Sequence, residues 1–393
     1  MKIFHTADWH IGKILKNYSL IKDQKYYFEK FIEDLKNEQP DALIIAGDLY
    51  DRSIPSAEAI TLLNDILSKI VLELKIETFI IAGNHDSKER LSFAENLLDK
   101  SGLHIAGTLS NEMKKFEIGS GNEKTNIFLM PFIEPYCVKN LYKNADIKTH
   151  DDAVNLYCKS AFEEINTDEI NILVAHGLFR IGGDKMEKEE QSLGGSDMVD
   201  ATIFSDFDYV ALGHLHSHLT IGSPKMLYSG SPLKYSIDET LQKKSYTIIN
   251  YTNKNDMKIT TKEIKPLHDV LVIEGDFEYL SNRENFDNLD DYVFANITDE
   301  KIMIHSLSRL KAVFQNIIGL KYINQSSKNI TGEIQKISSI NQKNEIELFA
   351  DFYKSCCDYE INDNEIDTVS TVFSQVKQEN NLKGDVANDT DNA

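Results

Sequence analysis

Apolar residues along the first half of the chain follow two alternating periods. The short, unbroken apolar runs Lys2–Ala7, Ala42–Ala46 and Phe79–Ala82 predict strands buried on both faces, each giving way to small and polar residues. Between them, a period near 3.6 predicts helices at Leu20–Leu35 and Ala57–Leu74, the second with Ile60, Leu63, Leu67, Ile70 and Leu74 on one face. Ile127–Met130, Ile170–Ala175 and Tyr209–Leu212 predict further strands. Such alternation implies a parallel-type sheet covered by helices. The polar, glycine-containing stretch Gly182–Ser196 reads as a long loop of the kind that often carries function.

After Pro266 the texture changes. Leu271–Gly275, a short helix, Tyr292–Ile297 and a helical segment around Ile304–Ile318 suggest a small α/β unit. Beyond about residue 340 two amphipathic helices follow, one grouping Ile346, Phe349, Phe352 and Tyr353, the other Val369, Val372, Phe373 and Val376. The acidic segment Asp358–Asp367 links them, and the polar stretch Gln378–Ala393 reads as a disordered tail. The expected division is therefore 1–265, 266–335, 340–377 and 378–393.

Composition sharpens this picture in three ways. At 393 residues and 41% hydrophobic content, the chain holds more than one ordinary core. No long apolar run predicts a membrane span, and Met1–His5 lacks the apolar core of a signal peptide, so a cytoplasmic protein is expected. Cys137 and Cys158 are isolated and Cys356 and Cys357 adjacent, which suits free thiols rather than a metal grip or a disulfide frame. The net charge of −21 argues against a protein that coats nucleic acid unaided, because phosphate binding is mainly cationic neutralisation.

The candidate chemistry lies in five short segments: Asp8-Trp9-His10-Ile11-Gly12, Gly47-Asp48-Leu49-Tyr50-Asp51, Gly83-Asn84-His85-Asp86, Ala175-His176-Gly177 and Gly213-His214-Leu215-His216. The first four directly follow a buried-strand pattern, and strand ends of open α/β sheets are where ligands bind. Carboxylate oxygens mixed with imidazole nitrogens suit Mn²⁺, Fe²⁺ or Zn²⁺ better than magnesium alone. Two such ions roughly 3.5–4 Å apart stabilise both the attacking and the leaving oxygens of a phosphate ester. Any one segment could be an ordinary turn or a surface histidine pair; five in order are hard to explain that way. Lys13, Lys16, Arg52, Lys88 and Arg90 lie beside these segments and could meet phosphates, whereas Trp9 reads as a structural residue.

In this order the segments resemble the calcineurin-like metallophosphoesterase superfamily, with its motifs D-x-H, G-D-x-x-D, G-N-H-D/E, H and G-H-x-H. The resemblance implies an α/β metallophosphoesterase sandwich with a small α/β capping domain and a C-terminal helix pair. It further implies that Asp8, His10 and His216 hold one metal, that Asn84, His176 and His214 hold a second, and that Asp48 bridges them. His85 matches the catalytic histidine, while Asp51 and Asp86 match motif carboxylates that orient histidine side chains.

These motifs alone equally suit a protein phosphatase, a cyclic-nucleotide phosphodiesterase or a nucleotidase. Three further stretches are similar to the SbcD family of bacterial DNA-end-processing nucleases. They are His5-Thr6-Ala7-Asp8-Trp9-His10-Ile11-Gly12, Tyr228–Leu233 with Ile237-Asp238-Glu239, and Asp290–Tyr292 through Asp299-Glu300. That resemblance implies a Mn²⁺-dependent DNA exonuclease and endonuclease acting at DNA ends and hairpins, regulated by ATP through the ATPase partner SbcC. The helix pair in 340–377 would dock on SbcC, and the chain would act as a homodimer within a heterotetramer, with Ala57–Leu74 and Leu91–Leu98 as candidate dimer surfaces. The alternatives are a stand-alone metallophosphoesterase acting on nucleotides or phosphoproteins, and a non-catalytic scaffold. Ligands intact at every motif position weigh against the scaffold.

Overall fold

A computed structural model describes residues 1–143, 146–181 and 198–323, together with 346, 349–350, 353, 362 and 365–373. The predicted loop Gly182–Ser196, the tail 378–393, Cys356 and Cys357 lie outside the described residues, as do Phe352 and Val376 of the predicted helix pair.

Met1–Ile297 and Met303–Lys321 form one compact unit. It is built on two six-stranded sheets. In the first, the strands Lys2–Thr6, Ala42–Ile45, Glu77–Ile81 and Leu103–Ala106 run parallel, with Ser245–Asn250 and Lys258–Glu263 added antiparallel beside Lys2–Thr6. In the second, Thr125–Met130, Ile170–His176, Tyr209–Gly213 and Ser223–Tyr228 run parallel, with Lys114–Ile118 and Leu219–Ile221 antiparallel at the two edges.

The continuous apolar runs follow from a core on both sides of each sheet. Ile3, Ile44, Phe79 and Ile81 of the first sheet pack with Ile127, Leu129, Ile172, Val174 and Ala211 of the second, forming the inner layer. The alternate residues Phe4, Leu43, Ile45 and Ile80 face outward and pack against the helices Ile21–Glu38 and Ala57–Ser68. On the far side, Phe128, Leu173, Val210 and Leu212 pack against Pro135–Tyr142 and His150–Glu164, the latter opened by a capping box between Thr149 and Asp152. The result is a sandwich of two sheets between two helical layers, as the resemblance implied.

Two details differ from the sequence expectation. In the second helix the buried stripe is Ala59, Leu63, Ile66 and Ile70, and Ile60 is 48% exposed. Ile60 lies one residue, about 100° of helix, away from Ala59 and so off the packed face. The helix expected around Ile304–Ile318 is shorter, Ser306–Lys311, and Ile317–Tyr322 is instead a strand of a three-stranded sheet with Val270–Gly275 and Tyr292–Ile297. The β-branched pair Ile317-Ile318 favours extended backbone, and both residues are buried there. This small sheet belongs to the same compact unit, and its Val270, Tyr292 and Ile318 join the core formed by the Ile21–Glu38 helix.

The second unit comprises Thr298–Ile302 and Tyr322–Ala393. Within it Ile346, Phe349, Ala350, Tyr353 and residues 365–373 are helical. The rings of Phe349 and Phe373, one from each predicted helix, lie edge to face with centroids 6.3 Å apart.

Candidate metal centre

The predicted motif residues fall at the C-terminal ends of parallel strands from both sheets. Lys2–Thr6, Ala42–Ile45 and Glu77–Ile81 lead into Asp8/His10, Asp48 and Asn84/His85; Ile170–His176 and Tyr209–Gly213 lead into His176, His214 and His216. The loops prolong the strand pairing: Asp8 N–H donates to Gly47 O at 3.1 Å, His10 N–H to Asp48 O at 2.9 Å and Ile11 N–H to Leu49 O at 2.8 Å. Asp8, His10, Asp48 and His214 all have positive φ, from 43° to 117°, although none is glycine. Backbone held in this costly region collects where a site requires a particular side-chain direction.

The seven expected ligands converge. Donor atoms of Asp8, His10 and His216 lie within 4.8 Å of one another, as do those of Asp8, Asp48 and His176. Asn84 Oδ1 is 3.1 Å from both His176 Nε2 and His214 Nδ1. Asp48 Oδ2 sits between the two groups, 3.6 Å from His10 Nε2 and 3.5 Å from His176 Nε2. Each buried carboxylate is fixed by a neighbouring loop: Asp48 Oδ1 accepts from His85 N–H at 2.9 Å, and both oxygens of Asp8 accept from His214 N–H, at 3.0 and 3.1 Å.

The donor set fits divalent cations. His176 Nδ1 donates to Ala46 O at 2.8 Å and His216 Nδ1 to Glu239 Oε1 at 3.0 Å, so both rings turn Nε2 inward. There His216 Nε2 meets His10 Nε2 at 3.1 Å, and His10 Nδ1 is buried with no hydrogen-bond partner. Ring nitrogens gathered beside buried carboxylates in this way suit coordination of a divalent cation.

The titration directions agree. Burial raises Asp8 to about 7, against the opposing pull of His176 and His216. Burial also disfavours the charged form of Asp48, but the surrounding His176, His10 and His85 outweigh it and hold the carboxyl far below its ordinary range. Burial disfavours His176 imidazolium, yet Asp48 outweighs it and raises the ring to about 9. His214 is pushed down to about 3 by burial and by His176, and burial also lowers His10. A proton on His176 thus supplies the charge that the cluster demands.

Asp51 and Asp86 act differently from each other. Asp51 lies 3.7 Å from His10 Nδ1, and its main-chain oxygen accepts from His85 Nδ1 at 2.9 Å. Asp86 meets backbone rather than histidine, accepting from the N–H groups of Leu49, Tyr50 and Gly83, and so ties two motif loops together. Several of the nearby cations are already engaged: Lys13 with Asp51 at 2.8 Å, Lys88 with Glu134 at 2.7 Å, and Arg90 with Ser53 O at 2.8 Å. Trp9 is fully buried, donates to Thr6 Oγ1 and packs edge-on against Phe28.

A family model described as calcineurin-like phosphoesterase matches residues 1–218. The SbcD subunit of the nuclease SbcCD from Staphylococcus epidermidis is 34% identical over 377 residues, spanning 95% of this chain and 98% of that protein. Its Staphylococcus saprophyticus counterpart is 35% identical over 387 residues, spanning 96% and 99%. This chain belongs to the SbcD family of calcineurin-like phosphoesterases.

In this SbcD-family site three supporting residues have roles that the motifs do not announce. Gln24, fully buried on the first helix, accepts from Gly12 N–H and donates to His10 O and Trp9 O, so one amide holds three residues of the Asp8–Gly12 loop. Tyr235 OH also donates to Trp9 O, and Glu239 backs His216. Gln24 occupies a position that breaks the apolar stripe of its helix, the one signal available in sequence. Glu239 falls in the Ile237-Asp238-Glu239 stretch that resembles the SbcD family, but the sequence does not show that it meets His216.

The protonation pattern sets the pH dependence of cation binding. A divalent cation must displace the protons on Asp8, below about 7, and on His176, below about 9. Mn²⁺ binding is expected to release protons at neutral pH and to tighten as pH rises through about 7 and on to about 9. Calorimetric titration in buffers of different ionisation enthalpy measures both, and an affinity flat with pH would count against these protonation states.

Proposed function

We propose that this chain is a metal-dependent DNA nuclease, an exonuclease and endonuclease acting at DNA ends and hairpins, regulated by ATP through an SbcC-type ATPase. The observation that carries the reading is the convergence of seven metal-suited side chains in a chain about one-third identical, over nearly its whole length, to proteins named as the SbcD subunit of the nuclease SbcCD. Asp8, His10 and His216 would hold one cation, Asn84, His176 and His214 the other, and Asp48 both. Mn²⁺ suits this oxygen and nitrogen set. When bound, the two cations supply the charge that activates water and stabilises the oxygens of the phosphate.

The chain's own groups do the rest. Asp48 and Asp8, fixed from behind by backbone amides, hold the ligand geometry. His85, its Nδ1 tied to Asp51 O, turns Nε2 outward to hold or deliver a proton at the leaving oxygen. Residues 266–335 serve as the cap and 340–377 as the dock for the ATPase, in a homodimer within a heterotetramer. That arrangement relieves the conflict between a net charge of −21 and a polyanionic substrate, because the partner supplies the basic surface.

The test is cleavage of labelled double-stranded and hairpin DNA with Mn²⁺, with EDTA, and with or without SbcC and ATP. Metal-dependent cutting that responds to ATP only with SbcC supports the whole reading. Hydrolysis of small phosphodiesters with no DNA cutting under any of these conditions would replace it with a stand-alone phosphoesterase.

A further inference from the structure

We infer that Glu239 is a positioning residue that makes the Asp8/His10/His216 position the tighter of the two cation positions, with Lys244 as its clamp; this rests on the two-cation reading above. The two histidines with a hydrogen-bonded outer nitrogen are backed by unequal groups. His176 donates to the neutral carbonyl of Ala46, whereas His216 donates to the Glu239 carboxylate. A charged acceptor makes the stronger hydrogen bond, holds the ring more firmly and makes its inward nitrogen a better electron donor to a metal.

Glu239 is itself fixed. It ends the short turn Ile237–Glu239, which the Ser236 side chain opens by accepting from Asp238 N–H, and it is 1% exposed. Its second oxygen, Oε2, accepts from Lys244 Nζ, which is also buried. Lys244 reaches the His216 main-chain oxygen at 2.9 Å and Ser231 Oγ at 2.9 Å. One ammonium therefore ties together the carboxylate, the backbone of the ligand that the carboxylate orients, and the loop beyond it. A buried ion pair adds little net stability over an apolar pair of the same volume. Stability does not account for this one, whereas direction does, because the free oxygen of the pair falls on a ligand ring.

Mn²⁺ titration, followed by calorimetry and by the electron paramagnetic resonance of the free ion, should resolve two unequal steps in the wild-type chain. Glu239→Gln keeps the shape and an acceptor for His216 Nδ1–H but removes the charge. It should weaken the tighter step about 10–100-fold and leave the weaker step unchanged. Because this variant strands the Lys244 charge, Glu239→Gln/Lys244→Met, which removes both charges, is the companion. It should show the same selective loss with a wild-type near-ultraviolet circular dichroism spectrum. An unchanged tighter step in both variants overturns the inference, and so does an equal loss in both steps, which marks general distortion. A wild-type chain that binds no Mn²⁺ takes the two-cation reading down with it.

Discussion

His85→Ala is expected to slow Mn²⁺-dependent phosphodiester cleavage by about 10²–10⁴-fold, the usual contribution of a positioned proton donor, while both Mn²⁺ ions still bind. The expectation follows from how the residue is held. Its main-chain N–H donates to Asp48 Oδ1, which fixes the backbone, and its Nδ1 donates to Asp51 O, a contact the ring would lose by swinging into the ligand cluster. It sits edge-on to His10 with centroids 4.8 Å apart, close enough to serve a phosphate resting on the cations. Single-turnover cleavage and Mn²⁺ titration of the same preparation separate the two roles. Loss of a bound Mn²⁺ would reassign His85 to the ligands, since donor atoms of His10, Asp51 and His85 also lie within 4.8 Å of one another. Cleavage within a few-fold of wild type would remove it from the chemistry.

Gly83→Ala should be nearly as damaging, although Gly83 carries no functional group. A Cβ there would stand 2.0 Å from Asp48 Oδ1 and 2.4 Å from Asp48 N, and neither atom can give way freely. The carboxylate is lodged between the two proposed cation positions, and its backbone already has positive φ. A displacement of about 1 Å in such a group costs about 100-fold in rate, and overpacking adds about 1–3 kcal/mol of destabilisation. Cleavage rate, Mn²⁺ affinity and the urea midpoint should all fall together. A variant with normal cleavage would mean that Asp48 does not set the spacing of the cations.

Much of this site was legible because its residues are chemically unusual for their places. A carboxylate or imidazole directly after a buried apolar run has no structural reason to be there, and Asp8, Asp48, His176 and His214 all stand so. The strands were legible for a related reason: with packing on both faces, every residue of Ala42–Ile45 or Ile170–Ala175 is apolar or buried. Edge strands gave no such signal. Lys258–Glu263 has a single apolar residue and four of its six residues exposed, and Lys114–Ile118 carries three charges in five residues. Ile60 lies off the buried face that its spacing predicts, because periodicity fixes the width of an apolar stripe less firmly than its existence. Support for the ligands was least legible. Glu239, Gln24 and Ala46 O act across separations of 23, 14 and 130 residues from the groups they touch, and a backbone oxygen leaves no trace in sequence at all.

The division of the ligands between two sheets has a consequence for the birth of the protein. Asp8 through His85 belong to strands made first, whereas His176, His214 and His216 follow on the second sheet, and Glu239 comes later still. Synthesis runs at about 5–20 residues per second, so a growing chain carries half a site for many seconds. During that interval it has carboxylates that can attract a cation and no second set of imidazoles to trap one. A growing copy of the proposed nuclease therefore lacks its full ligand set until the second sheet and the turn carrying Glu239 have been made.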